Sequence, residues 1–577
     1  MFKQILECSI KGAIILSVLV AGSDLKGKSK SFSKYILDAF SDKMILPKDK
    51  KIPGKKSNKI RMIIAPNELE SASFLLQAKT DMKNLTIEPT ALSSDNKIIP
   101  ASNIDIKIVK CWFQGGNAWC DIAKDTSKKL TPELLLKDDS LISVDNKNKV
   151  NYIKLNYPEG EKYICVSDEN EKTENGPYKI LSIKDFPVKD SKTLQAFDIA
   201  KDTNKQIWLT VKIPKGKAPG FYHGKINIKQ NEKVIDFLDI TVRVLPFELS
   251  SPDFTSSVFY RGRLSEKYPK GTISAEFKSL EQLKAELKDM LEHGVFNPTC
   301  YQPYGDKKLF KNYLKARREV GMTSKTLYSC YGLAIENCKN IEILKKQIKE
   351  MLQTAKAYGI NEIYFFGRDE AQGTKLVSQR KIWKAVHEAG GKIFTTGYKK
   401  NNFKLMGDIQ DLCISWGYPS LEESSKWHSV KHKIWAYFNP QAGLENPEIY
   451  RRNFGLLLWQ KNYDGACTFA YQTSMGNVWN DFDYKYRDHN FTYPTVDGVI
   501  DTIAWEGYRE GIDDLRYATT LEEAIKTAKK SNNAETQKNA AYAEEYLKEL
   551  KTTDLSSRNL NVIRMEIIDL ILKLKAK

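Results

Sequence analysis

Glu362-Ile-Tyr-Phe-Phe-Gly-Arg-Asp-Glu370 is a short aromatic and β-branched run that meets a glycine and then ends on two adjacent carboxylates. A helical pattern over 341–358, closed by Gly359, precedes it. Another over 374–389, closed by Gly390, follows. Glycine just past a helix end is a favoured cap, because it enters the left-handed region without a Cβ clash. The alternation extends in both directions. Strand-like runs lie at 257–260, at 295–297 with 299–301, and at 326–330. After the quoted stretch come 392–395, 412–415, 433–437 and 466–470. Helical patterns at 277–293, 308–320 and 447–463 end at or near Gly294, Gly321 and Gly465. Eight strands alternating with helices over about 250 residues predict a (β/α)8 TIM barrel. An open doubly wound sheet competes with this reading, but no GxGxxG follows the first strand to support a dinucleotide fold.

Upstream the period changes. Runs at 60–65, 73–78, 85–88, 104–111, 206–213, 224–230 and 234–245 are short, β-rich and separated by Asn, Asp, Pro and Ser. They predict an antiparallel β-sandwich over 59–250, with 115–163 as a less regular excursion. Residues 1–22 read as a signal peptide, with Lys3 and Lys11 before an apolar stretch and then Ala21-Gly-Ser23. A secreted or periplasmic protein is therefore expected. Residues 23–58, rich in Lys and Ser, read as a polar lead-in or linker, 253–530 as the barrel, and 531–577 as extra C-terminal helices.

Composition narrows the function. The chain of 577 residues exceeds what one hydrophobic core usually serves. No stretch is long and apolar enough to span a bilayer. The net charge of +18 is spread along the chain and reads as a solvated lysine-rich surface. No nucleic-acid motif accompanies it, so a nucleic-acid partner is not expected. Eight cysteines remain beyond Cys8, with no CxxC; Cys300, Cys330, Cys413 and Cys467 fall in strand-like runs and read as buried thiols. Cys111 and Cys120 are close enough in sequence for a local disulfide. Six histidines occur, none in a metal-ligand motif, so neither a metal nor another cofactor is expected.

A barrel places its chemistry at the carboxyl ends of its strands. These ends deliver Arg261, Tyr301, Tyr331, Tyr398, Trp416, Tyr437, Asn439 and Tyr471, a set of rings, phenols and amides. Rings stack on pyranose faces and polar tips bond hydroxyls, so the partner expected is a glycan. Arg261, Tyr398, Trp416, Tyr437, Asn439 and Tyr471 are the candidate substrate contacts. Trp479, in the stretch after strand eight, is a candidate subsite wall. Glu506 is a candidate partner for sugar hydroxyls, while Arg509 and Asp513 read as a helical ion pair.

Only strand four ends in carboxylates, Asp369 and Glu370. Ordinary double displacement needs an opposing carboxylate nucleophile, and strand seven ends in Asn439 instead. A 2-acetamido sugar fills that gap by attacking with its own carbonyl oxygen. One carboxylate then orients the acetamide, and the other serves as general acid and base. Asp369 and Glu370 suit these roles in that order. Both reach the site only if the strand has ended or bulged, which Gly367 eases. Their proximity disfavours double ionisation and helps keep Glu370 protonated.

The chain also resembles glycoside hydrolase family 123, whose characterised members are β-N-acetylgalactosaminidases. The matching pieces include Pro66-Asn-Glu-Leu-Glu-Ser-Ala-Ser-Phe74, Val109-Lys-Cys-Trp-Phe113, Pro132-Glu-Leu-Leu-Leu-Lys-Asp-Asp139 and Ala218-Pro-Gly-Phe-Tyr-His-Gly224. In the barrel they are Phe366-Gly-Arg-Asp-Glu370, Ala385-Val-His-Glu-Ala-Gly-Gly391 and Trp505-Glu-Gly-Tyr-Arg-Glu-Gly-Ile-Asp513. The resemblance implies a sandwich followed by a barrel. It further implies retaining, substrate-assisted hydrolysis of terminal β-linked N-acetylgalactosamine, with Asp369 stabilising the acetamide and Glu370 as acid/base. Hydrolysis of another 2-acetamido sugar, such as β-N-acetylglucosamine, and glycan binding without turnover are the alternatives.

Overall fold

The computed structural model describes residues 31–116, 119, 127–169, 179–398, 401–437, 439–474, 476–484 and 487–575. The expected signal peptide at 1–22 and Cys120 lie outside the described residues. Among the described residues, no helix is long and apolar enough to cross a membrane.

Two sheets form the N-terminal sandwich. One has six strands in the order Lys55–Lys56, Phe32–Leu37, Leu69–Ala78, Asn204–Lys212, Ile104–Gly115 and Lys128–Leu136. The other runs Phe197–Ile199, Met82–Pro89, Gly220–Gln230, Lys233–Val244 and Lys59–Ile64, with the hairpin strands Leu92–Ser94 and Lys97–Ile99 at its side. Pairing is antiparallel except that Lys59–Ile64 lies parallel to Lys233–Val244. Side chains of a strand alternate between faces, and every second residue here is buried: Ile104, Ile106 and Ile108 against Leu238, Ile240 and Val242.

The polar lead-in turns out to be partly structural. Phe32–Leu37 pairs along its whole length with Leu69–Ala78. Its Lys34 is buried, bonding the Phe237 carbonyl at 2.7 Å and Asp236 at 2.8 Å. The lysine-rich composition concealed a strand whose apolar residues are only Phe32, Tyr35, Ile36 and Leu37. The excursion after 115 is structured too: Ile142–Asp145, Val150–Tyr157 and Gly160–Cys165 form a separate antiparallel sheet. Its Ile153 and Leu155 share a core with Trp479, Tyr493 and Ile500 of the following domain.

The second domain is a curled parallel sheet in the order Thr255–Val258, Gly465–Thr468, Lys433–Ala436, Leu412–Trp416, Lys392–Tyr398, Glu362–Phe366 and Thr326–Ser329. Strand two shrinks to one bridge, Cys300 to Ser329. The Thr299 amide bonds the Val258 carbonyl at 3.1 Å, which closes the ring on the other side. The run at 295–297 is not a strand. Pro298 offers no amide to a ladder, and the Arg317 guanidinium bonds Asn297 Oδ1 at 2.7 Å instead. Aromatic rings fill the barrel, among them Phe259, Tyr328, Tyr364, Phe394 and Trp435.

Helices surround the sheet as expected, with two of them split: Gly373–Val377 with Arg380–Glu388, and Pro447–Phe454 with Leu456–Gln460. The helix Ile503–Ala528 is capped by the Thr502 hydroxyl, which accepts from the Trp505 amide. With Ala534–Thr552 and Leu560–Lys575 it encloses a third core around Leu245 and Phe247, the end of the sandwich. The C-terminal helices thus cement the junction between the domains. Helix Ile503–Ala528 also packs closely on the barrel helix Pro447–Phe454: an added Cβ at Gly507 would lie 2.2 Å from the Pro447 carbonyl oxygen. Backbone cannot yield there as a flexible side chain would. Gly507→Ala is expected to cost about 1–3 kcal/mol, read as a lowered thermal midpoint; an unchanged midpoint would mean that the two helices slide apart freely.

Candidate active site

Strand four stops at Phe366, and the chain turns at Asp369 and Glu370. Gly367 is needed less for a bulge than for packing: a Cβ there would sit 2.8 Å from Trp383 Cζ2. The change of direction falls on Glu370, with φ of 46°. A left-handed residue other than glycine costs roughly 1–2 kcal/mol and persists where the surroundings over-determine it. Here they do. Thr396, on strand five, accepts the Glu370 amide at 3.0 Å and donates through the same hydroxyl to Asp369 Oδ1. Thr395 Oγ1 donates to the Arg368 carbonyl at 3.0 Å, and Gln379 Oε1 accepts the Arg368 amide at 2.6 Å. Both carboxylates are thereby presented at the barrel mouth.

Two phenols hold Glu370. Tyr398 donates to Oε2 at 2.7 Å and Tyr437 to Oε1. The Glu370 bond and desolvation push the Tyr398 phenol up to about 12. Burial, then the Glu370 bond, raises Tyr437 as well. Asp369 is held above the usual carboxylate range by desolvation; its Thr396 bond opposes this, and the charges of Glu370 and Glu336 add to it.

Trp416 stands beside Tyr398, ring centroids 5.3 Å apart, and is 38% exposed. Arg261 reaches Glu276 at 3.2 Å and lies 5.8 Å from the Tyr301 ring. Tyr301 in turn packs on the exposed Tyr331 at 5.1 Å. A small cavity of about 120 Å³ adjoins Asp369, lined by Tyr331, Glu336 and Arg368. So Tyr398, Trp416 and Tyr437 gather about the acid pair, and Arg261 joins the mouth through Tyr301.

Four candidates do not join them. Asn439 turns from the mouth and exchanges amide–carbonyl bonds with Asn453, at 3.0 and 3.1 Å. Tyr471 is fully buried, stacked edge-on to Tyr260 and Trp505, and donates to Asp289 at 2.7 Å. Trp479 is fully buried against Trp112 and Tyr493, donating to the Pro494 carbonyl at 3.1 Å. It is a wall between domains, not of a subsite. Glu506 is buried with Arg509 at 2.6 Å and accepts from Ser71 of the sandwich at 3.1 Å. The expected Arg509–Asp513 pair is replaced by Arg509–Glu506 and Arg516–Asp513. Thr396 and Glu336 are the site groups missed. Thr396 lies two residues before Tyr398 on a strand, so both face the barrel interior, and that parity was the available signal.

Among the described residues no carboxylate ends strand seven; Glu445, the next acid in sequence, is buried against Arg487. The glycoside hydrolase 123 N-terminal domain matches residues 135–230, and the glycoside hydrolase 123 catalytic domain matches residues 301–521. The chain belongs to glycoside hydrolase family 123. A solved family 123 glycoside hydrolase from Clostridium perfringens is similar over 94% of this chain and 100% of its own, at 14% identity and a TM-score of 0.60. That likeness shows the fold, a sandwich followed by a barrel. A family 5 xyloglucanase from Bacteroides ovatus aligns over 78% of this chain and 98% of its own, at 6% identity and a TM-score of 0.28. Its geometry is too distant to inform the site. No curated protein matches the chain in sequence. The chain therefore carries a family 123 catalytic domain, with Asp369 and Glu370 inside the matched span.

Proposed function

We propose that this family 123 protein is a retaining exo-β-N-acetylgalactosaminidase working by substrate assistance. The observation that carries the reading is the paired presentation of Asp369 and Glu370 by Thr396, with no carboxylate facing them from strand seven among the described residues. Asp369 accepts the acetamide N–H and turns the carbonyl oxygen toward C1. That oxygen bonds to C1 while the glycosidic C–O bond breaks, its electron pair leaving with the aglycone oxygen. Glu370 donates the proton this oxygen takes up. The oxazolinium intermediate then receives water at C1, Glu370 taking the water proton as the ring reopens. Two inversions give net retention. Both Glu370 oxygens accept from phenols, so a protonated Glu370 displaces one of them; the aglycone oxygen takes the vacated position. Trp416 supplies a ring face for the sugar. The Clostridium perfringens relative was studied for glycolipid glycan hydrolysis, and glycolipid glycans with terminal β-N-acetylgalactosamine are the natural substrates to try.

A panel of nitrophenyl β-glycosides tests this. Hydrolysis of the N-acetylgalactosaminide, with little of the N-acetylglucosaminide and none of the plain galactoside, is expected. Turnover of the plain galactoside would overturn substrate assistance.

A further inference from the structure

Far along the chain from the acid pair, a cluster of buried donors lies at the seam between barrel and sandwich. Asp289 lies in the helix Leu280–Glu292, His293 caps that helix, and Asp501 ends the strand Val499–Asp501. One donor atom from each lies within 4.8 Å of the others. His293 is 5% exposed, its ring stacked 4.8 Å from Trp505. Its Nδ1 sits 2.9 Å from the Asp289 carbonyl oxygen and 3.2 Å from Asp289 Oδ1, which assigns the proton to Nδ1 and turns Nε2 the other way. Nε2 is buried without a hydrogen-bond partner; the Glu506 carboxylate is 3.8 Å off. Asp501 Oδ1, on a residue 8% exposed, is likewise buried without one, while its Oδ2 accepts from Lys107 at 2.6 Å. Asp289 Oδ2 is oriented by Tyr471 at 2.7 Å and Trp505 Nε1 at 3.1 Å. A cavity of about 250 Å³ opens beside the three.

We propose that Asp289, His293 and Asp501 bind one divalent transition-metal ion of the zinc or manganese class. An imidazole with its far nitrogen bonded to a backbone carbonyl, beside carboxylates that are themselves hydrogen-bonded, is the outer-shell pattern of a metal ligand set. One nitrogen with carboxylate oxygens suits such ions. To serve the ion, Asp289 Oδ1 would leave its 3.2 Å contact with His293 Nδ1 and swing toward the Nε2 side, so that the three donors close to the roughly 2.0–2.2 Å radius these ions require.

Charge points the same way. The cavity is lined by the carboxylates of Asp105, Asp289, Glu292, Asp501 and Glu506. Lys107, Lys212 and Arg509 stand against them, and Lys137 pairs with Asp105 at 2.9 Å, so one negative charge is left when His293 is neutral. A bound cation answers that charge and engages both orphaned atoms. Through Asp501 and Lys107 it would tie the barrel to the sandwich. The ligands are too widely spaced in sequence to form a recognisable motif, so no spacing rule finds them.

The test uses the full chain, stripped with a chelator, dialysed against zinc or manganese at neutral pH and assayed by elemental analysis. One ion per chain is expected, with a rise in thermal midpoint that grows with free metal. His293→Gln and Asp501→Asn should each abolish retention. Selective 15N-histidine labelling of the wild type decides the matter if either variant fails to fold: one of the six histidines should move to a metal-bound Nε2 signal. No retained ion in the wild type, retention unchanged in both variants, or no histidine signal moving would each overturn the proposal.

Discussion

Glu370→Gln is expected to lose roughly 10²–10⁴-fold in kcat/KM on glycans with an alcohol leaving group, the span that a positioned acid/base supplies. On nitrophenyl substrates the loss in the first step should be smaller, because a nitrophenol leaves without full protonation. The difference between leaving groups is the signature of a general acid, and a residue that only shapes the pocket would not produce it. Asp369→Asn should lose roughly 10²–10³-fold on both substrates alike, since orientation of the acetamide and stabilisation of its developing charge do not depend on the aglycone. The wild-type pH profile carries a related sign. Asp369 must be ionised to accept the acetamide N–H, and desolvation with its neighbouring charges holds its pKa above the ordinary range. Activity is therefore present above that raised pKa and falls as pH drops through it, earlier than an exposed aspartate would cause. Equal losses for Glu370→Gln on both leaving groups would remove the acid role from this residue.

Much of this site could be read from the sequence because barrels localise chemistry by strand order. Once the strands were counted, the ends of strands four, five, six and seven named Asp369, Glu370, Tyr398, Trp416 and Tyr437. Three of the four failures share one cause. Tyr471, Trp479 and Glu506 have side chains that suit a sugar site, but each is taken by a tertiary partner distant in sequence: Asp289, Trp112 and Ser71. Pattern reading sees the type of a side chain and not what closes over it. Phe32–Leu37 failed for the complementary reason. Lysine and serine around it imitate a linker, and only pairing with Leu69–Ala78 reveals a strand. Family resemblance supplied what local pattern could not, since motifs on both domains point to one architecture.

The stretch after strand eight bears on the second large effect. Its Trp479 reads from sequence as a subsite wall, yet that ring is wedged between the domains, and Arg487 anchors the stretch. Arg487 is 5% exposed, pairs with Glu445 and lies 3.5 Å from Asp481. The Glu133 carboxyl close by accepts from Trp112 at 2.6 Å, Gln114 at 2.5 Å and Tyr493 at 3.0 Å. Asp481 accepts the Gly115 amide of the sandwich at 2.6 Å. Burial pushes Glu445 and Glu133 upward, and the Arg487 charge pulls both back. Removing it strands several carboxyls in a dry interior. Arg487→Ala is therefore expected to cost about 3–5 kcal/mol, the range for breaking a buried pair from one side. For a barrel-sized unit that lowers the thermal midpoint by roughly 6–20 °C. The deficit should depend on pH in a fixed direction. Without Arg487 the carboxyls bind protons more tightly in the folded chain than in the unfolded one, so the folded state is favoured at low pH. That support disappears as pH rises through their raised pKa values, and the gap to wild type widens toward alkaline pH. Glu445→Gln keeps the shape and leaves Arg487 with Asp481, so its cost should be clearly smaller. A midpoint for Arg487→Ala within about 2 °C of wild type, a difference of about 1 kcal/mol or less, at alkaline pH would show that the seam is held by its apolar contacts alone, among them Trp112, Trp479 and Tyr493.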